Sequence, residues 1–228
     1  MEPIRIAPTL TLLAAFLHLA CVEINSPTEP RGPLIVGTGP VVTETRAVSG
    51  FDGIEVVGAG ELYVDLGGEE TLTVTAEENL LPFIRSEVVD GRLILGPEPG
   101  IDLSGRERIV YRVTARDLRL LVPSGTSLAE VSAIDTPELE IRASGASQVR
   151  ADGRADHFQL DLSGASRFVG ERLRCRTVEA YLSGASLATV RVSDRLSGSL
   201  SGASTLEYYG DPTVAVTTSG SSRVRRVD

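Results

Sequence analysis

A four-residue motif, Ser-Gly-Ala-Ser or a close variant of it, recurs through the second half of the chain. Successive motifs begin 20, 19, 20, 18 and 18 residues apart. Their first residues are Ser124, Ser144, Ser163, Ser183, Ser201 and Ser219. A period held this closely indicates a repeat architecture, in which each repeat is one structural unit that stacks on its neighbours.

The length of the repeat restricts the fold to strands. Helical repeats need about 33 residues or more and propeller blades about 40. The first, third and fifth residues before most of the motifs are apolar or small, and this alternation is typical of a strand with one buried face. About 18–20 residues at about 3.3 Å each form a circuit of about 60 Å. The repeat therefore predicts an all-β solenoid in which each coil contains three short strands around a narrow apolar core.

The motif itself is suited to a corner of such a coil. Glycine supplies the positive φ that turns the chain, and alanine is small enough to stack at a tight corner. We therefore expect Ala146, Ala165, Ala185 and Ala203 to form one column. Because a hydroxyl both donates and accepts, we also expect the serines to form ladders that are hydrogen-bonded from coil to coil.

The first half of the body is less regular, but its alternating segments still predict strands. These segments are residues 53–57, 61–66, 71–75, 92–95 and 109–114. Residues 77–84 form the one segment that suggests a helical turn. Leu118, Leu120 and Val122 precede Ser124 at even rather than odd offsets, which predicts a bulge or a changed corner there.

The amino terminus has the layout of an export signal. A basic residue, Arg5, precedes an apolar stretch of about 15 residues, which is too short to span a membrane. Ala20-Cys21 resembles the end of a bacterial lipobox, although His18 stands where that pattern usually has leucine. We expect a signal peptide over 1–20, lipidation of Cys21, a Pro/Gly-rich tether over 21–40 and a folded domain over 41–228. Ordinary secretory cleavage near Cys21 is the alternative.

The charge balance argues against a nucleic-acid partner. The chain has 22 basic and 31 acidic residues, a formal net charge of −9, and every basic residue is arginine. The arginines are scattered along the sequence, whereas nucleic-acid binding requires basic residues concentrated on one face. The lack of lysine also excludes Schiff-base chemistry and the lysine of a phosphate-binding P-loop.

No catalytic, cofactor-binding or metal-binding residues are predicted. His157 is the one histidine after the signal, and we expect it at the surface rather than as a general base. The repeated serines share one context, whereas a nucleophile needs one activated serine. Glu69-Glu70 and Glu77-Glu78 are neighbours whose side chains point apart, and no calcium-loop motif occurs. Cys175 is interpreted as a single, partly buried thiol.

Three further segments resemble the head GIN domain family, whose members are labelled adhesins of the autotransporter type. They are residues 43–60, which contain Gly-Phe-Asp-Gly-Ile-Glu-Val-Val-Gly-Ala-Gly, the segment Ala-Glu-Glu-Asn-Leu-Leu-Pro-Phe over 76–83, and the iterated Leu-Ser-Gly-Ala-Ser. The resemblance covers about residues 35–228. It implies a right-handed parallel β-helix, often attached to the bacterial cell envelope as a lipoprotein, and it brings no agreed catalytic residues.

Three functions are compatible with these features. The first is a non-catalytic, membrane-anchored envelope protein whose regular faces bind a glycan or another envelope protein. The second is a polysaccharide-acting enzyme, a lyase or glycosidase, which would need two carboxylates facing each other about 5–10 Å apart. The third is an assembly or signalling accessory that pairs through the strand edge at the end of the repeats. Arg223, Arg225 and Arg226 would oppose that pairing as gatekeepers. The oligomeric state stays open.

Overall fold

The computed structural model describes residues 32–228, which form one compact unit. The predicted signal peptide, Cys21 and the first part of the predicted tether lie outside the described residues. The strands are β1 Leu34–Val36, β2 Val41–Arg46, β3 Gly53–Val56, β4 Glu61–Leu66, β5 Thr71–Glu77, β6 Ile84–Val89, β7 Arg92–Pro97, β8 Asp102–Ser104, β9 Val110–Ala115, β10 Leu120–Pro123, β11 Leu128–Ala143, β12 Gln148–Leu162, β13 Arg167–Leu182, β14 Leu187–Leu200, β15 Thr205–Tyr209, β16 Thr213–Thr218 and β17 Arg223–Arg226.

The second half is the predicted solenoid. Strands β10 to β14 stack in sequence order, each in parallel register with the next, and β15 to β17 complete the last coils. Equivalent apolar residues lie above one another, as in the series Val149, Phe168, Ala188 and Leu206. The series is fully buried. The structure has about five turns and confirms the β-solenoid that the repeat predicts.

The Ser-Gly-Ala-Ser corners also stack as expected. The backbone N–H of Ala165 donates to the carbonyl of Gly145 at 2.7 Å, and the N–H of Ala185 donates to that of Gly164 at 2.7 Å. The same bond recurs at Ala146 and Ala203, so the four alanines form the predicted column. They lie on the outside of the corner, exposed to solvent.

The predicted serine ladder is mostly wrong. The last serine is buried in five of the six motifs. In four of these five, the serine hydroxyl donates within its own coil to the carbonyl of the first serine of the motif. The distance from Ser166 Oγ to Ser163 O is 2.7 Å. Among the described residues, Ser147 and Ser166 are the only two serines whose hydroxyls lie within hydrogen-bond distance of each other, at 3.4 Å. The hydrogen bond within the coil forms in place of one between coils because the tight corner already places that carbonyl within reach of the hydroxyl.

All five strands predicted in the first half are present, but this part is not purely parallel. Strands β3, β4, β7 and β9 follow the parallel stacking, whereas β5 pairs antiparallel with β2 and β9, and β6 pairs antiparallel with β7. A two-residue turn at Asp90-Gly91, with both φ angles positive, joins β6 to β7. Turns of this type match the twist of a hairpin. Leu34–Val36, in the predicted tether, form β1 and pair with β8.

Two local predictions are refined. The expected helical turn over 77–84 shrinks to a single 3-10 turn at Leu81–Phe83. The expected bulge lies just before the first motif, where the backbone N–H groups of Arg119 and Leu120 both donate to the carbonyl of Asp52. Leu121 therefore faces inward, and the corner after it is unchanged. Within residues 32–228, no helix is long and apolar enough to cross a membrane.

Candidate functional site: an arginine column at the irregular bend

One bend in each coil is the main source of the unequal repeat lengths. The parallel register shifts between Val131 and Ile134 in β11 and between Gly170 and Arg174 in β13. In β14 the chain passes this point without any counterpart of residues 171–173. Insertions and bulges in an otherwise regular sheet tend to lie beside functional surfaces, since they redirect side chains without disturbing the core. We call this region the irregular bend.

Named contacts hold the irregular bend in shape. Ala133 has a φ of 60°, which is rare for a residue with a side chain. Its backbone N–H donates to Asp152 Oδ1 of the next coil at 3.2 Å. Ser132 Oγ donates to Asp65 Oδ1 at 2.8 Å. These bonds join neighbouring coils and stabilise the bulged backbone.

Three arginines occupy equivalent positions on three successive coils, each just after the irregular bend of its own coil. Arg154 lies beside Arg174 in the parallel register, and Arg174 lies beside Arg191. We call these three residues the arginine column. Asp135 precedes the column in the register and Tyr209 follows it. All three arginines are exposed to solvent.

The members of the column differ in how they are held. Arg154 donates to Asp156 at 3.1 Å. Arg191 Nε donates to the carbonyl of Glu171 at 2.7 Å, and its guanidinium lies 4.8 Å from the centre of the Tyr209 ring. Among the described residues, no carboxylate lies within ion-pair distance of Arg174 or Arg191. The guanidinium groups of Arg174 and Arg191 therefore have no carboxylate partner that would compete with a bound anion.

Outside the two pairs within the column, every register pair of two charged residues joins opposite charges. Five register pairs join opposite charges: Glu130–Arg150, Asp135–Arg154, Arg142–Asp161, Asp152–Arg172 and Glu207–Arg225. Within residues 32–228, the two pairs inside the arginine column are the only register pairs of like charge. Since like charges directly opposite each other destabilise a sheet, the column is the exception to a pattern that the rest of the molecule keeps.

The surface around the column is a shallow, open groove. Its walls carry Arg172 and the carboxylates of Asp135, Asp152 and Glu171. Guanidinium groups are planar donors that match carboxylates and phosphates, and they stay protonated at all physiological pH values. The groove can therefore hold an anion, but its arginines cannot accept a proton in a reaction.

The polar residues considered from the sequence do not come together. His157 is exposed, as predicted, and its Nδ1 lies 2.8 Å from Thr177 Oγ1. Glu77 is buried while its neighbour Glu78 is exposed, so the two carboxylates point apart as expected. Glu70 accepts a hydrogen bond from the backbone of Gly50. Among the described residues, no group of three or more histidine, cysteine or acidic side chains could hold a metal ion.

Cys175 lies directly after Arg174 but faces the core. Its side chain is buried, and burial raises the pKa of the thiol to about 12. The sulfur contacts the carbonyl of Leu173 at 3.9 Å. The thiol is buried more completely than the sequence predicted, and at neutral pH the group stays protonated and unreactive.

Sequence reasoning missed the arginine column because the arginines are scattered along the chain. The structure corrects that argument, since three of the scattered residues meet on one face. The sequence did contain a signal. Arg154 and Arg174 each lie nine residues before the motif that follows them, and Arg191 lies ten residues before the motif that follows it.

The family assignment can now be tested against known proteins. A family model described as "Putative auto-transporter adhesin, head GIN domain" matches residues 50–212. The chain belongs to the head GIN domain family. The resemblance seen in the sequence is confirmed, and the match includes the irregular bend and the whole arginine column. No curated protein sequence matches this head GIN domain.

Solved structures with the same fold include two described as adhesins. A "putative adhesin" from Bacteroides fragilis is 18% identical, covers 85% of this chain and 100% of its own, and has a TM-score of 0.70. A "putative adhesin" from Parabacteroides merdae is 17% identical, covers 86% of this chain and 99% of its own, and has a TM-score of 0.56. A "putative lipid binding protein" from Parabacteroides distasonis is 18% identical, covers 86% and 100%, and also scores 0.56. At these identities the likeness shows the fold alone.

Proposed function

We propose that this head GIN domain is a non-catalytic binding domain of the bacterial cell envelope, held at the membrane by a lipid on Cys21. The adhesin description of the family supports a surface or envelope location. The lipobox-like Ala20-Cys21 and the Pro-rich segment after it support an anchor followed by a spacer. The ligand is a glycan or an envelope protein.

One observation carries the binding role: the exposed, like-charged arginine column. Arginine binds anions in a fixed geometry but does not exchange protons near neutral pH. A surface organised around such groups favours recognition rather than hydrolysis or elimination. The alternative, a polysaccharide-acting enzyme, would require a general acid and a base facing each other across the bound chain.

The anchor is tested on the full chain expressed with its signal in a bacterial host. We expect the mature protein to begin at Cys21, to carry a mass increase corresponding to acyl chains, and to fractionate with membranes. Cys21→Ser should show no mass increase from acyl chains because the acylated sulfur is lost. Mature wild-type protein that begins at a residue other than Cys21 and carries no lipid would contradict the anchor.

The binding role is tested with the mature Cys21→Ser protein and a panel of purified polysaccharides and envelope proteins. We expect saturable binding of at least one member of the panel and no release of shortened sugars. Reproducible cleavage that a single Asp→Asn or Glu→Gln substitution abolishes would replace this proposal with the enzyme. No binding to any member would reject the proposal as well.

A further inference from the structure

We propose that the arginine column binds an acidic polysaccharide, a chain of uronic-acid type with one carboxylate per sugar, laid along the axis of the solenoid. The proposal rests on the binding role above and names the ligand class for it. The ligand carboxylates would lie against Arg154, Arg174 and Arg191 in turn.

The arginine column carries an electrostatic cost. Arg154, Arg174 and Arg191 stack on three adjacent strands, which lie about 4.8 Å apart. Cross-strand pairs of like charge are destabilising, and opposite charges stabilise the pairs elsewhere in this sheet. A carboxylate placed between neighbouring guanidinium groups would turn the repulsion into attraction. The column is thus a surface that an anion stabilises.

The hydrogen-bond donors of the column are available and partly positioned. The side chain of Arg174, at the centre of the column, makes no ion pair or hydrogen bond within residues 32–228. Arg191 is fixed by the Glu171 carbonyl and by the Tyr209 ring. A positioned guanidinium loses less side-chain entropy when a ligand binds, which favours affinity.

The spacing of the positive charges suits a ligand that carries few charges per unit length. The three arginines are separated by strand spacing, which is about the length of one sugar in an extended chain. Nucleic acids carry about one charge per 1.7 Å of duplex, and their phosphates would also approach Asp135, Asp152 and Glu171 on the walls of the groove. The protein as a whole carries a net charge of −9, which opposes a dense polyanion further.

The test measures binding of polygalacturonate by the mature Cys21→Ser protein, using titration calorimetry at low and physiological salt. Dextran serves as the neutral polymer and polyphosphate as the dense polyanion. Two variants are compared in the same background, Arg174→Gln in the column and Arg142→Gln as the control. Arg142 pairs with Glu140 on a different side of the coil.

We expect polygalacturonate to bind, dextran not to bind, and the affinity to fall as salt increases. Arg174→Gln should weaken binding about 10-fold or more, since it removes a charge-assisted hydrogen bond, while Arg142→Gln should bind like the wild type. The proposal would be overturned by equal losses of affinity in both variants or by an unchanged affinity of Arg174→Gln. Tighter binding of polyphosphate than of polygalacturonate would also overturn it. If polygalacturonate does not bind but another polysaccharide or an envelope protein does, the ligand class is wrong and the binding role stands.

Discussion

Gly164→Ala is expected to lower the free energy of unfolding by about 2–5 kcal/mol. Gly164 has a φ of 72°, and a Cβ at this position would lie 2.5 Å from the carbonyl oxygen of Gly145 in the preceding coil. The left-handed conformation costs an L-residue about 1–2 kcal/mol. The overlap adds a cost of the size seen for overpacked cores, about 1–3 kcal/mol. The neighbouring atom is backbone, so it cannot move without separating two coils.

Gly50→Ala separates the two contributions. Gly50 has a φ of 77°, but a Cβ there would meet nothing within 4 Å. Gly50→Ala should therefore lower the free energy of unfolding only by the conformational cost of the positive φ. Urea denaturation of both variants, followed by circular dichroism, measures the difference. Equal midpoints for the two variants would show that the corners are not packed backbone against backbone.

Glu77→Ala has the second-largest expected effect, a loss of about 1–3 kcal/mol in the free energy of unfolding, because it removes the buried carboxylate that two backbone N–H groups donate to. Glu77 is fully buried, and its Oε1 accepts hydrogen bonds from the backbone N–H groups of Arg106, at 2.6 Å, and Glu107, at 3.3 Å. Glu78→Ala is the matched control, since Glu78 is exposed. Its effect should stay within about 0.5 kcal/mol. The same urea measurement compares the two variants.

The effect of Glu77 should depend on pH. Burial opposes ionisation of Glu77, but the hydrogen bonds from Arg106 and Glu107 outweigh it and hold its pKa below the ordinary value. The folded state therefore binds this proton less readily than the unfolded state does. The stability that the carboxylate contributes is present above the unfolded pKa of about 4.3 and is lost as pH falls through the folded pKa. The difference in the free energy of unfolding between wild type and Glu77→Ala should therefore shrink as the pH falls below about 4.3. A constant difference from pH 7 to pH 3 would contradict this role.

The solenoid could be predicted from the sequence because one motif fixes both its period and its corner. Ser144-Gly145-Ala146-Ser147 and its copies place the turns, and the alternation before each copy places the strands. The hairpin between β6 and β7 was missed although Asp90-Gly91 is a strong turn signal, because the parallel repeat was extended to a region that does not follow it. The role of Glu77 depends on backbone groups 29 and 30 residues away, which no local pattern shows.

The candidate site could not be predicted for a related reason. Arg154 and Arg174 are 20 residues apart, but Arg174 and Arg191 are only 17 apart, since residues 171–173 have no counterpart in β14. No single period therefore aligns the three arginines. Only the register of the folded sheet brings them into one column and shows that its like-charged pairs are exceptional.

The central claim is that the arginine column is maintained for a ligand at a cost in stability. The most direct measurement is the melting temperature of wild type and Arg174→Gln without ligand at low ionic strength. We predict that Arg174→Gln melts about 1–4 °C higher, since it removes two like-charged cross-strand pairs, and that the difference disappears at high salt. A variant that melts at or below the wild-type temperature at low salt would contradict the claim.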